Sequence, residues 1–200
     1  MTSFSTGGSG KAVLPAVSVG LVGSRQAVFQ ILNHTNSGLH QFGLGTERWM
    51  IRTVQSATNY ARAAAGRGLR AIVVSARDDQ IPRALARATA LPVVHIPLLP
   101  PRYVPGNPPR RPSRRPIALL SVLAAAEPGA PAAVNPEETF ATVALGEAGA
   151  KNAALLIVSI LALGDERLRA AWQEFRARQT REVLGATLPE IIETPVPPAL

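Results

Sequence analysis

The chain has 200 residues, a formal net charge of +8, 46% hydrophobic and 17% charged residues; with a mean hydropathy of +0.13 this excludes a chain disordered throughout and gives room to bury the core of one α/β domain. Cysteine is absent, which excludes disulfides, thiolate metal sites and a cysteine nucleophile. Three histidines and 4% aromatics leave few groups for imidazole chemistry and little for stacking single-stranded nucleic acid.

Lys11 and Lys151 are the only lysines among 21 basic residues; the rest are arginine. A net positive chain attracts phosphate and anionic surfaces, although a codon bias toward alanine, arginine, glycine and proline explains the excess more plainly. No secretory pattern opens the sequence and no apolar run reaches membrane-spanning length. A cytoplasmic protein without metal or cofactor is the expectation.

Residues 1–10 read as a Ser/Thr/Gly-rich leader, and residues 11–184 as one α/β domain. Val13–Val22 is an apolar, β-rich run closed by Gly23-Ser24. Gln26–Asn33 has a short helical pattern. Asn33–Gly38 carries loop residues, with Leu39–Leu44 a candidate second strand. Glu47–Ala65 predicts a helix, because Met50, Val54, Ala57 and Ala61 recur at helical spacing; Gly66 and Gly68 end it. Leu69–Ser75 is a buried-type strand. Asp78-Asp79 opens a short helix over Ile81–Thr89, with Pro82 in its first turn, and Leu91–Leu98 is another strand.

Pro100–Pro116 breaks the pattern. It alternates proline with Arg102, Arg110, Arg111, Arg114 and Arg115. Proline removes backbone donors and like charges repel, so an exposed, extended insert is expected. Such a basic arm suits an acidic protein, a nucleic acid or an anionic surface; a solvated linker is the plain alternative. Ile117–Ala126 is apolar again, and Glu127–Glu138 is an Ala/Pro/Gly loop. Phe140–Leu145 predicts a strand, Ala148–Leu163 a helix apolar nearly all round, and Glu166–Leu184 an amphipathic charged helix. Residues 185–200 form a proline-containing tail. Strands alternating with helices predict βαβ units around a parallel sheet with right-handed crossovers.

Other candidate groups have plain structural readings. Asp78 and Asp79 suit the start of a helix. His34 and His40 lie in a polar stretch without a third ligand at metal-binding spacing. His95 sits in an apolar strand as a hydrogen-bonded core or interface histidine.

One block is more specific. Thr142-Val143-Ala144-Leu145-Gly146-Glu147-Ala148-Gly149-Ala150-Lys151-Asn152-Ala153-Ala154-Leu155-Leu156 joins a strand to a helix through small residues, which permit a tight turn and close backbone approach. With Asp165–Leu168, Trp172, Arg176, Gln179-Thr180 and Val183-Leu184 it resembles the end of the carboxyaminoimidazole ribonucleotide mutase (aminoimidazole ribonucleotide carboxylase, PurE) family, over about 45 residues. Val17–Ser24 is similar to that family's first strand and Gly-Ser turn, and Pro82, Pro92 and Pro97 fall on family prolines.

The resemblance implies a flavodoxin-like three-layer sandwich with a central parallel sheet. It also implies a homo-oligomer, an octamer, with Gly146, Gly149, Ala150, Asn152, Ala153 and Ala154 in the oligomer core. The family moves a carboxyl group on an imidazole ribonucleotide without cofactor, using a phosphate site and a proton-transferring histidine. Gly23 and Ser24 match the phosphate-binding turn, but the serine and aspartate that follow in the family are Gln26 and Ala27 here. The family's Ser-Ala-His-Arg-Thr-Pro loop is laid over Gly45–Met50, so that Arg48 takes the phosphate-contacting position and Glu47 a histidine position. In the catalytic loop Gln80 stands where the proton-transferring histidine belongs. An amide can hydrogen-bond but cannot carry a proton near neutral pH. The expectation is a PurE-like, non-catalytic scaffold or binding protein. Two alternatives stand beside it: an atypical mutase or carboxylase on a phosphorylated heterocycle, with Glu47, Asp78 or Asp79 as acid/base, and a nucleic-acid or acidic-partner binder acting through the arginine-rich insert.

Overall fold

The computed structural model describes residues 17–77, 79–98 and 139–186. The expected leader, Asp78, the insert with Arg102, Arg110, Arg111, Arg114 and Arg115, the loop after it and most of the tail lie outside the described residues. In chain order the elements are β1 (Val17–Gly23), α1 (Val28–His40), β2 (Gly45–Met50), α2 (Val54–Ala64), β3 (Ala71–Ala76), α3 (Gln80–Ala88), β4 (Val93–Pro97), β5 (Ala141–Thr142), α4 (Gly146–Leu161) and α5 (Glu166–Leu184).

The strands form a five-stranded sheet in the order β2-β1-β3-β4-β5, with every neighbouring pair parallel. This is the doubly wound order of the flavodoxin-like fold, so the expected fold class is the observed one.

Side-chain alternation divides the core in two. Val19, Leu21, Ala71, Val73, Val94 and Ile96 face α1 and α4. Val22, Ile72, Val74, Ala76 and Val93 face α2 and α3 through Ala57, Tyr60, Ala61, Ala84 and Leu85. Burial on both faces explains why the central strands read as continuous apolar runs.

α4 meets α1 through small residues. Thr35 is fully buried, and its hydroxyl donates to the Ala150 carbonyl at 2.9 Å. A Cβ placed on Gly149 would lie 1.6 Å from the Ala144 carbonyl oxygen, so only glycine fits where the chain folds from β5 into α4. α5 packs its first half through buried Leu168 and an aromatic cluster in which Phe42 lies 6.2 Å from Trp172 and 5.5 Å from Phe175. Asp165 caps α5 by accepting from the Leu168 amide at 3.2 Å and is paired with Arg70 at 3.2 Å.

Several expectations are corrected. Residues 33–38 are interior to α1, not a loop; their polar composition is overridden by packing against α4. Leu39–Leu44 is no strand: it holds the end of α1 and the following turn. The expected helix from Glu47 is two elements, since Glu47–Met50 belongs to β2 and α2 starts only after Thr53. Its end is as expected, with Gly68 left-handed at φ 85°. The Phe140–Leu145 strand shrinks to Ala141–Thr142, whereas Glu166–Leu184 is helical over its expected span.

Candidate functional site

In this topology the crevice outside the carboxyl ends of the strands, where β1 has β2 on one side and β3 on the other, is where ligands bind in doubly wound sheets. Three loop starts meet there. Gly23 is level with Met50 of β2 and with Ser75 of β3. The Ile51 amide donates to the Gly23 carbonyl at 3.0 Å, and the Ser24 amide to the Ser75 carbonyl at 3.4 Å. Ser24 is half-buried, while Arg25, Arg52, Thr53, Arg77 and Gln80 are exposed.

Helix starts fix these loops. Thr53 caps α2: its Oγ1 accepts from the Ser56 amide at 3.2 Å, and the Ser56 hydroxyl accepts from the Thr53 amide at 3.3 Å. This reciprocal box holds the residue beside Arg52 in place. Asp79 occupies the cap position of α3 but does not cap it. Its carboxylate instead accepts from Arg83 Nε at 2.9 Å, which corrects the expected capping role.

Of the residues singled out in the sequence, Gly23, Ser24 and Gln80 come to this edge. Glu47 and Arg48 do not: both lie within β2. Glu47 Oε1 accepts from the Tyr60 hydroxyl at 2.8 Å and from Arg67 Nη2 at 2.9 Å, so its partner is Arg67 and not Arg48. Burial above all, and then the bond to Glu47, push the Tyr60 phenol well above its usual range. Arg48 is exposed and level with Leu21.

The histidines are dispersed. His34 and His40 lie on α1 and not in a loop. His34 Nδ1 is 3.6 Å from Glu147 Oε1, which Lys151 also holds at 2.8 Å; the Lys151 bond first, then the nearby His34, keep the Glu147 carboxyl below its usual range. His95 is buried, its Nε2 3.1 Å from the Ala76 carbonyl. Among the described residues no group of three acidic or histidine side chains gathers to hold a metal ion.

The expected oligomer core also divides. Gly149, Ala150, Ala153 and Ala154 are buried inside the protomer, Gly146 is half-buried and Asn152 is exposed. Ala150 and Ala154 meet α1 through Thr35 and Gly38 and Gly149 packs on the Ala144 backbone, so the surface α4 leaves open is carried by other side chains, among them half-buried Leu155, Leu156 and Ile160.

The chain matches no family model. It is 32% identical over 170 residues to the N5-carboxyaminoimidazole ribonucleotide mutase of Pseudomonas aeruginosa, covering 83% of this chain and 93% of that protein. The chain belongs to the N5-carboxyaminoimidazole ribonucleotide mutase family, PurE. Mutases of Vibrio cholerae, 29% identical over 172 residues with 84% and 95% covered, and of Saccharolobus solfataricus, 29% identical over 181 residues with 88% and 99% covered, are further relatives. The crystal structure of Treponema denticola PurE shares the fold, with a TM-score of 0.59 at 15% identity over 83% of this chain and 93% of that one.

With β2 ending at Met50, the PurE pattern shifts along the chain. Its Ser-Ala-His-Arg-Thr-Pro loop links a strand to a helix, and the segment that does so here is Ile51–Thr53. The Arg-Thr pair of the pattern then falls on Arg52-Thr53, and its histidine position on Ile51, a fully buried core residue. Sequence reasoning missed Arg52 although the dipeptide was in view, because the helix was started too early.

Proposed function

We propose that this chain is a PurE-family protein that binds a phosphorylated ligand at the carboxyl edge of its sheet without performing the mutase reaction, as a homo-oligomeric, cytoplasmic binding protein. The observation that carries this reading is the pair Ile51 and Gln80. The two positions that the family pattern gives to histidine hold a buried hydrocarbon and an amide, and neither can shuttle a proton. Loss of a general acid–base group costs about a hundredfold or more in rate. The phosphate end keeps part of its chemistry: Ser24 offers a hydroxyl in the turn after β1, and Arg52 replaces Arg48 as the arginine at the mouth.

The oligomer belongs to the same proposal. Leu163, Val183 and Leu184 are 78%, 73% and 81% exposed, which favours burial against further copies, an octamer by family resemblance. Light scattering that finds only a 21.1 kDa particle removes this part. The insert at 100–116 is the proposed contact for an acidic partner.

The test is calorimetric titration of carboxyaminoimidazole ribonucleotide, followed by analysis of the mixture. Saturable binding that is lost in Arg52→Ala, with no conversion, is the expected result. Conversion at a rate typical of a mutase overturns the proposal, and the search for the proton carrier then begins at Asp79 and Asp78.

A further inference from the structure

The parallel register holds a relationship that the family pattern does not use. Gly23, Met50 and Ser75 form one rung across β1, β2 and β3. Two residues beyond that rung, the segment leaving each of the three strands carries an arginine: Arg25, Arg52 and Arg77. All three are exposed. None is paired with a carboxylate among the described residues; the polar contact of Arg52 is its Nη2, 3.6 Å from Met50 Sδ. Of the two carboxylates that follow Arg77 in the chain, Asp79 is engaged by Arg83 and Asp78 lies outside the described residues. Six other arginines, Arg67, Arg70, Arg83, Arg169, Arg178 and Arg181, each have a carboxylate within reach; Arg48, Arg62, Arg167 and Arg176 have none among the described residues, but they do not follow one rung of the sheet as Arg25, Arg52 and Arg77 do.

Neighbouring strands lie about 4.8 Å apart, so the rung spans on the order of 10 Å. That is wider than one phosphoryl group needs. Exposed guanidinium groups held side by side repel each other weakly through solvent, and an anion that touches more than one of them relieves that repulsion and gains charge-assisted hydrogen bonds. We infer that the carboxyl edge takes a ligand with two linked phosphoryl groups, a diphosphate ester, with Arg52 and Ser24 on one phosphoryl group and Arg77 and Arg25 on the other. This deepens the phosphate-binding reading above and rests on it. A nucleic acid is less favoured by the geometry, because the three arginines cluster across a crevice and do not follow a backbone path.

The experiment is calorimetric titration of the full chain with inorganic pyrophosphate and with inorganic phosphate at one ionic strength. Pyrophosphate is expected to bind at least about tenfold tighter, the effect of one added charge-assisted contact. Arg77→Gln is expected to abolish that preference while leaving phosphate affinity within about twofold, and Arg52→Gln to weaken both ligands. Thermal melts confirm that the exposed substitutions leave the fold intact. Equal affinity for the two ligands, or a preference that survives Arg77→Gln, overturns the inference but leaves the phosphate site standing. No binding of phosphate at all overturns the site itself. Duplex DNA that competes at equal charge concentration and depends equally on all three arginines replaces the inference with a nucleic-acid surface.

Discussion

Gly38 of α1 and Ala154 of α4 stand so close that a Cβ added at Gly38 would meet the Ala154 Cβ at 2.7 Å. The two helices therefore cross at a separation that admits one methyl group but not two. Glycine inside a helix costs about 1 kcal/mol of intrinsic propensity, and the contact explains why it is kept. Overpacking here is worth about 1–3 kcal/mol, more than alanine would return. Gly38→Ala is expected to lower Tm, and the double variant Gly38→Ala/Ala154→Gly to recover part of the loss. A Tm unchanged by Gly38→Ala would show that the helices separate freely.

Gly149 faces backbone, not side chain. An alanine there cannot be accommodated by a rotamer change, because the obstacle is the Ala144 carbonyl oxygen. Gly149→Ala is expected to destabilise the protein by more than about 3 kcal/mol, in the range reserved for backbone conflicts. Ala148→Gly, at an exposed position of the same turn, is the control and is expected to cost about 1 kcal/mol. Urea midpoints compare the two.

Tyr60 gives the alkaline limb of stability a defined sign. In the unfolded chain its phenol ionises around the ordinary value of 10.0, while in the fold burial and the bond to Glu47 hold the proton to higher pH. The folded value is raised, so its contribution is fully present below the unfolded value and is lost as pH rises past it. Stability is expected to fall from about pH 10 upward, and Tyr60→Phe to flatten that limb. Equal slopes in both proteins would contradict the buried phenol.

Asp165 acts at the other end of the scale. The Leu168 amide first, and then Arg70, hold its carboxyl below the ordinary aspartate value of 3.8. The folded value is lowered, so the contribution is present above the unfolded value and fades as pH falls through the folded one. Asp165→Ala is expected to lower Tm at neutral pH and to lose that deficit in acid below about pH 4. Asp165→Asn keeps the cap but not the ion pair, and its Tm is expected between the two.

The layered fold was legible because the central strands are buried on both faces, so Leu69–Ser75 and Leu91–Leu98 announce themselves as apolar runs. The last helix was legible because its faces differ. The first half of the chain misled for physical reasons. Thr46, Glu47 and Arg48 look unlike a strand because β2 is an edge, where one side of the ladder and much of one face meet solvent. Thr35 and Gly38 look like loop residues because their value lies in the α1–α4 contact, which no local pattern reveals. The site inherited that error: a strand end misplaced by one turn of helix carried Arg48 into the mouth and left Arg52 out of it.

The contact between α1 and α4 has one more consequence. Alanine and glycine surrender almost no rotamer freedom when buried, so Gly38, Ala150, Ala153 and Ala154 join the helices at small entropic cost. The same side chains have no alternative rotamers with which to absorb a displacement. The close contact therefore couples the two helices, so that a displacement of α4 is passed to α1 with little slack.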